Sequence, residues 1–122
     1  MNRKSFEKLV DEAMEQLPRA LASRIENLAV KIQDRPTRGQ LRRWEIPPDE
    51  ELLGFYEGVP LTERLTDYGM MAPDVIYIFQ NAIEETCSSE PEIQDEVRRT
   101  VRHEIAHHFG IDDERLEGLD RY

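Results

Sequence analysis

The chain is poor in cysteine. Cys87 stands alone among 122 residues, so no intrachain disulfide can form and packing must hold the fold. Its neighbours in "EETCSSE" are acidic, which disfavours a thiolate, and Cys87 reads as a spectator rather than a nucleophile. Long apolar runs are also missing: no stretch approaches the ~20 residues needed to cross a bilayer. The opening "MNRKSFEKLVDEAMEQL" has a basic start but no apolar core of an export signal. Together with the lone thiol, this predicts a reducing, cytoplasmic setting. Positive charge is scarce too. Sixteen Lys and Arg face 26 Asp and Glu, a net charge of −10, and such a field repels nucleic acid and anionic membranes, so neither is expected as a partner.

What remains is the composition of an ordinary globular chain, 39% hydrophobic and 34% charged, and a single domain over residues 1–122 with a modest core is expected. Phe6, Leu9, Val10, Ala13, Met14 and Leu17 follow helical spacing and predict an amphipathic helix over residues 3–17. Pro18 ends it or starts a second short helix through Leu21. In residues 25–34, Leu28, Val30 and Ile32 alternate with Lys31 and Gln33, the pattern of a half-buried strand. Residues 35–50 carry Pro36, Gly39, Pro47 and Pro48 without a clear period and read as a long loop. "ELLGFYEGVP" is a second strand, where Gly54 and Gly58 point to a bulge or a close backbone approach. "PDVIYIFQNA", residues 73–82, is the clearest strand.

Ser89 as N-cap, Pro91 in the first turn and Glu92 three residues beyond the cap announce a long helix. Ile93, Val97, Val101, Ile105 and Phe109 recur every four residues along it, and Gly110 sits where a left-handed terminator belongs. The order helix, strands, long helix gives an α+β fold with a small mixed or antiparallel sheet.

All three histidines fall within residues 103–108, in "VRHEIAHHFGIDDER". His103 and His107 are one helical turn apart on one face, so both imidazoles can reach one Zn²⁺. Neutral imidazoles leave such an ion Lewis-acidic, and Glu104 beside them suits a general base rather than a ligand. This is the HExxH pattern of zinc peptidases. A third ligand must come after the break at Gly110; Asp113 is assigned, with Asp112 as the alternative. His108 is about 100° round the helix from His107 and is expected to pack or hydrogen-bond instead. Two His and one carboxylate would also suit Fe²⁺, Co²⁺ or Mn²⁺.

"HEIAHHFGIDDER" resembles HExxHxxGxxDxR, the signature of a family of small bacterial zincin-like metallopeptidases sometimes called minimal metalloproteases. "LLGFYEGVPLTER", residues 52–64, and the run from Pro73 to Gly110 resemble that family as well. The resemblance implies one α+β zincin-like domain, zinc held by His103, His107 and Asp113, and Glu104 as the base. The nine residues after Asp113 hold no methionine, so the Met-turn of the larger metzincins is not expected.

The function this predicts is a zinc metallopeptidase acting on an unidentified peptide or protein. The alternative is a catalytically silent, zinc-stabilised binding or scaffold protein. "ELLGFYEG" is the candidate edge strand for an extended substrate. Tyr56 or Tyr68 is a candidate oxyanion donor, though each is read first as a structural tyrosine, and Arg115 is a candidate partner for a site carboxylate. The arginine-rich "RPTRGQLRRW", residues 35–44, either grips an acidic partner or a substrate C-terminus through Arg35, Arg38, Arg42 and Arg43, or contacts the chain's own carboxylates, and the last reading is favoured.

Overall fold

The computed structural model describes residues 1–23, 25, 27–58 and 73–109. Among the described residues, five helices and three strands follow in chain order: α1 (Arg3–Glu15), α2 (Arg19–Ala22), β1 (Leu28–Gln33), α3 (Arg38–Arg43), β2 (Gly54–Glu57), β3 (Asp74–Phe79), α4 (Gln80–Glu85) and α5 (Glu90–His108). The architecture is α+β with a mixed sheet. Strand β3 is central, parallel to β1 on one side and antiparallel to β2 on the other.

The period-two alternation of β3 separates two apolar layers. Ile76 and Ile78 face the main core, where Phe6, Val10 and Ala13 of α1 meet Val97, Val101 and Ile105 of α5. Leu28, Val30 and Ile32 of β1 pack against the same layer. Phe6, Ile76, Ile78, Val97 and Ile105 are fully buried, and each such side chain removed from water stabilises the fold by about 1.5–3 kcal/mol. Tyr77 and Phe79 face the other way, under Trp44, Leu52, Leu53 and Phe55. Trp44 stacks on Phe55 with ring centroids 4.1 Å apart.

Residues 35–50 depart from the expected long loop. They contain α3, which begins with a capping box: the Thr37 side chain accepts from Gln40 N, and the Gln40 side chain accepts from Thr37 N. Only Leu41 of this helix is buried, so no apolar period marks it in the sequence. Helix α4 is a second departure. It starts directly from Phe79 without a side-chain cap, and only Gln80 and Asn81 separate its apolar residues Ala82 and Ile83 from the strand's run. Helix α5 is capped as expected at Ser89, whose side chain accepts from Glu92 N. Glu92 reaches back to Ser88 N at 2.7 Å rather than to the cap residue itself. The terminator Gly110 lies outside the described residues.

Candidate metal centre

Helix α5 buries Ile93, Val97, Val101 and Ile105, and also Thr100 and Glu104. His103 and His107 stand beside this buried stripe, half-buried and exposed respectively. Their ring centroids are 4.3 Å apart, edge to face, because residues four apart sit one turn above each other. Glu104 is 5% exposed, and its Oε1 lies 3.4 Å from His107 Nδ1. One donor atom from each of His103, Glu104 and His107 can be chosen so that all three lie within 4.8 Å of one another, a group able to hold a metal ion. Asp113 and Asp112, with Arg115 and Tyr68, lie outside the described residues.

The group opens onto a cleft of about 370 Å³ between α5 and the β2 segment, lined by Leu52, Leu53, Phe55, Thr100 and the three donors among others. Its wall comes close because of Gly54. A Cβ at that position would lie 2.6 Å from Thr100 Cγ2, 3.0 Å from Tyr77 O and 3.2 Å from Glu104 Cγ. Of the two readings of this glycine, the close approach is the one observed. The β2 strand therefore presses directly on the side chain of Glu104 and holds it against the helix.

Tyr56 also lines this cleft. Its hydroxyl donates to Asp74 Oδ2 at 2.8 Å, which gives it a structural role. The same oxygen lies 2.9 Å from His108 Nδ1, and the Tyr56 and His108 rings meet edge to face at 5.6 Å. His108 thus packs and pairs beneath the site, away from His103 and His107. Asp74, 1% exposed, was missed from sequence. The available signal was its register: it shares the inward face of β3 with Ile76 and Ile78, a carboxylate where an apolar residue belongs.

On the opposite face of the sheet, Glu57 accepts four hydrogen bonds from three residues. Arg43 reaches it through Nε at 2.8 Å and through a second nitrogen at 3.1 Å, and Trp44 Nε1 donates at 2.6 Å. The Tyr77 hydroxyl donates to it at 3.3 Å. Burial and then the Glu57 charge push the Tyr77 phenol above its ordinary value near 10. Arg35 pairs with Glu85, so among the described residues two of the four arginines in residues 35–44 contact the chain's own carboxylates.

A conserved hypothetical protein from T. thermophilus shares this fold, with 21% identity, a TM-score of 0.56, and coverage of 96% of this chain and 98% of that one. No curated protein matches the sequence significantly. No described helix is long and apolar enough to cross a membrane. The model of the zincin-like metallopeptidase family matches residues 25–122, a span that takes in β1, the whole sheet and all of α5. The chain belongs to the zincin-like metallopeptidase family.

Proposed function

We propose that this chain is a zinc-dependent peptidase, or a closely related amide hydrolase, acting on a peptide or protein substrate. His103 and His107 hold the metal, Asp113 completes the protein ligands, and Glu104 is the general base. The observation that carries this reading is the grouping of His103, Glu104 and His107 within 4.8 Å at an open cleft. The donor chemistry fits the ion: two imidazoles with a nearby carboxylate form a set that Zn²⁺ accepts, and the i, i+4 rings can aim at one point. Asp113 enters from its spacing after His107 and not from the described geometry. Bound there, the ion would supply Lewis acidity toward a carbonyl oxygen and draw the ionisation of a water toward neutral pH.

The chain's own groups do the rest. Glu104 would accept a proton from the attacking water and return it to the departing nitrogen. Its low exposure, and the pressure of Gly54 and Thr100 on its side chain, hold the carboxylate in one place, and preorganisation of this kind lowers the cost of reaching the transition state. Strand β2 pairs with β3 along one edge, and no described strand pairs with its other edge. An extended substrate can add there, beside the donor group. Leu52, Leu53 and Phe55 give the cleft apolar walls for substrate side chains.

The test is elemental analysis of purified wild type beside His103→Ala and Glu104→Gln. About one zinc per wild-type chain, little in His103→Ala, and full metal with no peptide-library cleavage in Glu104→Gln are expected. No metal in wild type after zinc addition would remove the reading. Cleavage by Glu104→Gln at the wild-type rate would remove its mechanism.

A further inference from the structure

Arg38 and Arg42 behave differently from the other two arginines of their segment. Arg35 pairs with Glu85, and Arg43 with Glu57. Arg38 and Arg42 are exposed and lie one turn apart on α3, on the same side. Among the described residues neither forms an ion pair, although Glu45, Asp49, Glu50 and Glu51 follow closely in sequence. The two line a groove of about 540 Å³ together with Leu41, Ile46 and Pro48.

The groove is rigidly built. The Thr37–Gln40 capping box fixes the start of α3, and reciprocal bonds between the Gln33 and Gln40 side chains, at 2.9 and 2.7 Å, tie it to β1. Its far end closes with Ile46 N donating to Leu41 O at 2.9 Å and Glu45 N to Arg42 O at 3.2 Å. That pair of bonds is a Schellman ending, which brings Ile46 back over Leu41. It is made with glutamate, not glycine, at the left-handed position, φ 58°. An ordered apolar floor therefore carries two cations on a chain of net charge −10.

We propose that this groove docks a segment of a partner protein in which acidic residues are interleaved with apolar ones. Arg38 and Arg42 would take two carboxylates, and Leu41, Ile46 and Pro48 an apolar side chain. The spacing suits an extended segment: one helical turn rises about 5.4 Å, and alternate residues of a strand lie about 6.6 Å apart. The apolar floor favours a peptide over a polyanion without side chains to bury. The site is independent of His103 and His107.

The test is fluorescence anisotropy with a labelled nonapeptide of glutamates interrupted by leucines, on metal-loaded protein carrying Glu104→Gln in every variant, wild type at the groove included, so that no cleavage intervenes. Wild type is expected to bind, more weakly as salt rises from about 50 to about 300 mM. Arg38→Glu/Arg42→Glu should weaken binding at least tenfold, and Arg38→Gln/Arg42→Gln by less. Ile46→Ser should weaken it with the charge unchanged. Lys4→Glu/Lys8→Glu, the same charge change at the same spacing on exposed α1 positions, should stay within twofold of wild type. Circular dichroism melts confirm that each variant is folded. Equal loss in the α1 and α3 doubles would overturn the proposal in favour of net charge alone. Equal binding of a peptide with glutamine for glutamate, or no binding by wild type, would overturn it too. A wild-type dimer in sedimentation that Arg38→Glu/Arg42→Glu dissociates would reassign the groove to a second copy of the chain.

Discussion

Replacing Gly54 by alanine tests how β2 is pressed onto the HExxH helix. Gly54 is not held in the left-handed region, so a side chain there is opposed by space and not by backbone conformation. The new Cβ would start 2.6 Å from Thr100 Cγ2 and 3.0 Å from the Tyr77 carbonyl oxygen, against an ordinary carbon contact of about 3.5–4.0 Å. Thr100 is 7% exposed and Tyr77 O is backbone in the central strand, so neither yields cheaply. Overpacking of this kind costs about 1–3 kcal/mol, offset by about 0.5–1 kcal/mol from removing a strand glycine. The net expectation is a loss of about 1–2 kcal/mol, a melting shift of about 3–8 °C for a domain of this size. Thr100→Ser supplies the control, because it deletes Cγ2 and keeps the hydroxyl. It should itself cost about 1 kcal/mol for the lost buried methyl, yet Gly54→Ala made in that background should cost less than half as much as in wild type. Urea denaturation of the four chelator-treated proteins closes the double-mutant cycle, with an expected coupling of about 1 kcal/mol. A neutral or stabilising Gly54→Ala would refute the close-approach argument. An equal cost in both backgrounds would show that Thr100 is not what the new methyl meets.

Three further outcomes follow from local physics. Glu45→Gly should stabilise the fold by about 0.5–1 kcal/mol, because a non-glycine residue held at φ 58° carries a steric penalty that glycine lacks; the urea midpoint should rise, and a fall would mean that Glu45 makes compensating contacts. Ser89→Ala should cost about 1 kcal/mol through loss of the N-cap bond to Glu92 N, while Ser88→Ala, with its backbone bond to Glu92 intact, should cost much less. Tyr77 governs part of the alkaline limit. Its folded pKa lies above the unfolded value, so the stability it contributes is complete below about pH 10 and is lost as pH rises through the higher folded value. Urea midpoints should therefore fall less steeply for Tyr77→Phe than for wild type between about pH 9 and 11, and parallel profiles would count against the assignment.

Much of the candidate site could be read from the sequence because it is local. His103, Glu104 and His107 sit within five residues of one helix, and helical geometry alone sets their mutual distances. The helix was recognisable from its own marks, Ser89 at its start and an apolar residue every fourth position, all of which act within a turn or two. β3 was recognisable for a similar reason, as a β-branched and aromatic run. The expected loop at residues 35–50 hid α3 because a six-residue helix with one buried side chain leaves no period to detect. α4 was hidden because no cap or turn residue separates it from β3.

What the amino-acid order determined by itself was therefore the α5 helix, its donor triplet, the alternation of β1, the apolar run of β3 and the net acidic charge. Only the tertiary structure decided which strand is central, why Gly54 is a glycine, and which partners the charged groups take. Tyr56 meets Asp74 across 18 positions, Arg43 meets Glu57 across 14, and Arg35 meets Glu85 across 50. Spacing along the chain sets distances within one helix or strand, but contacts between elements depend on how buried faces pack. That packing put Arg35 and Arg43 onto carboxylates and left Arg38 and Arg42 facing an apolar groove, although all four arginines look alike in the sequence.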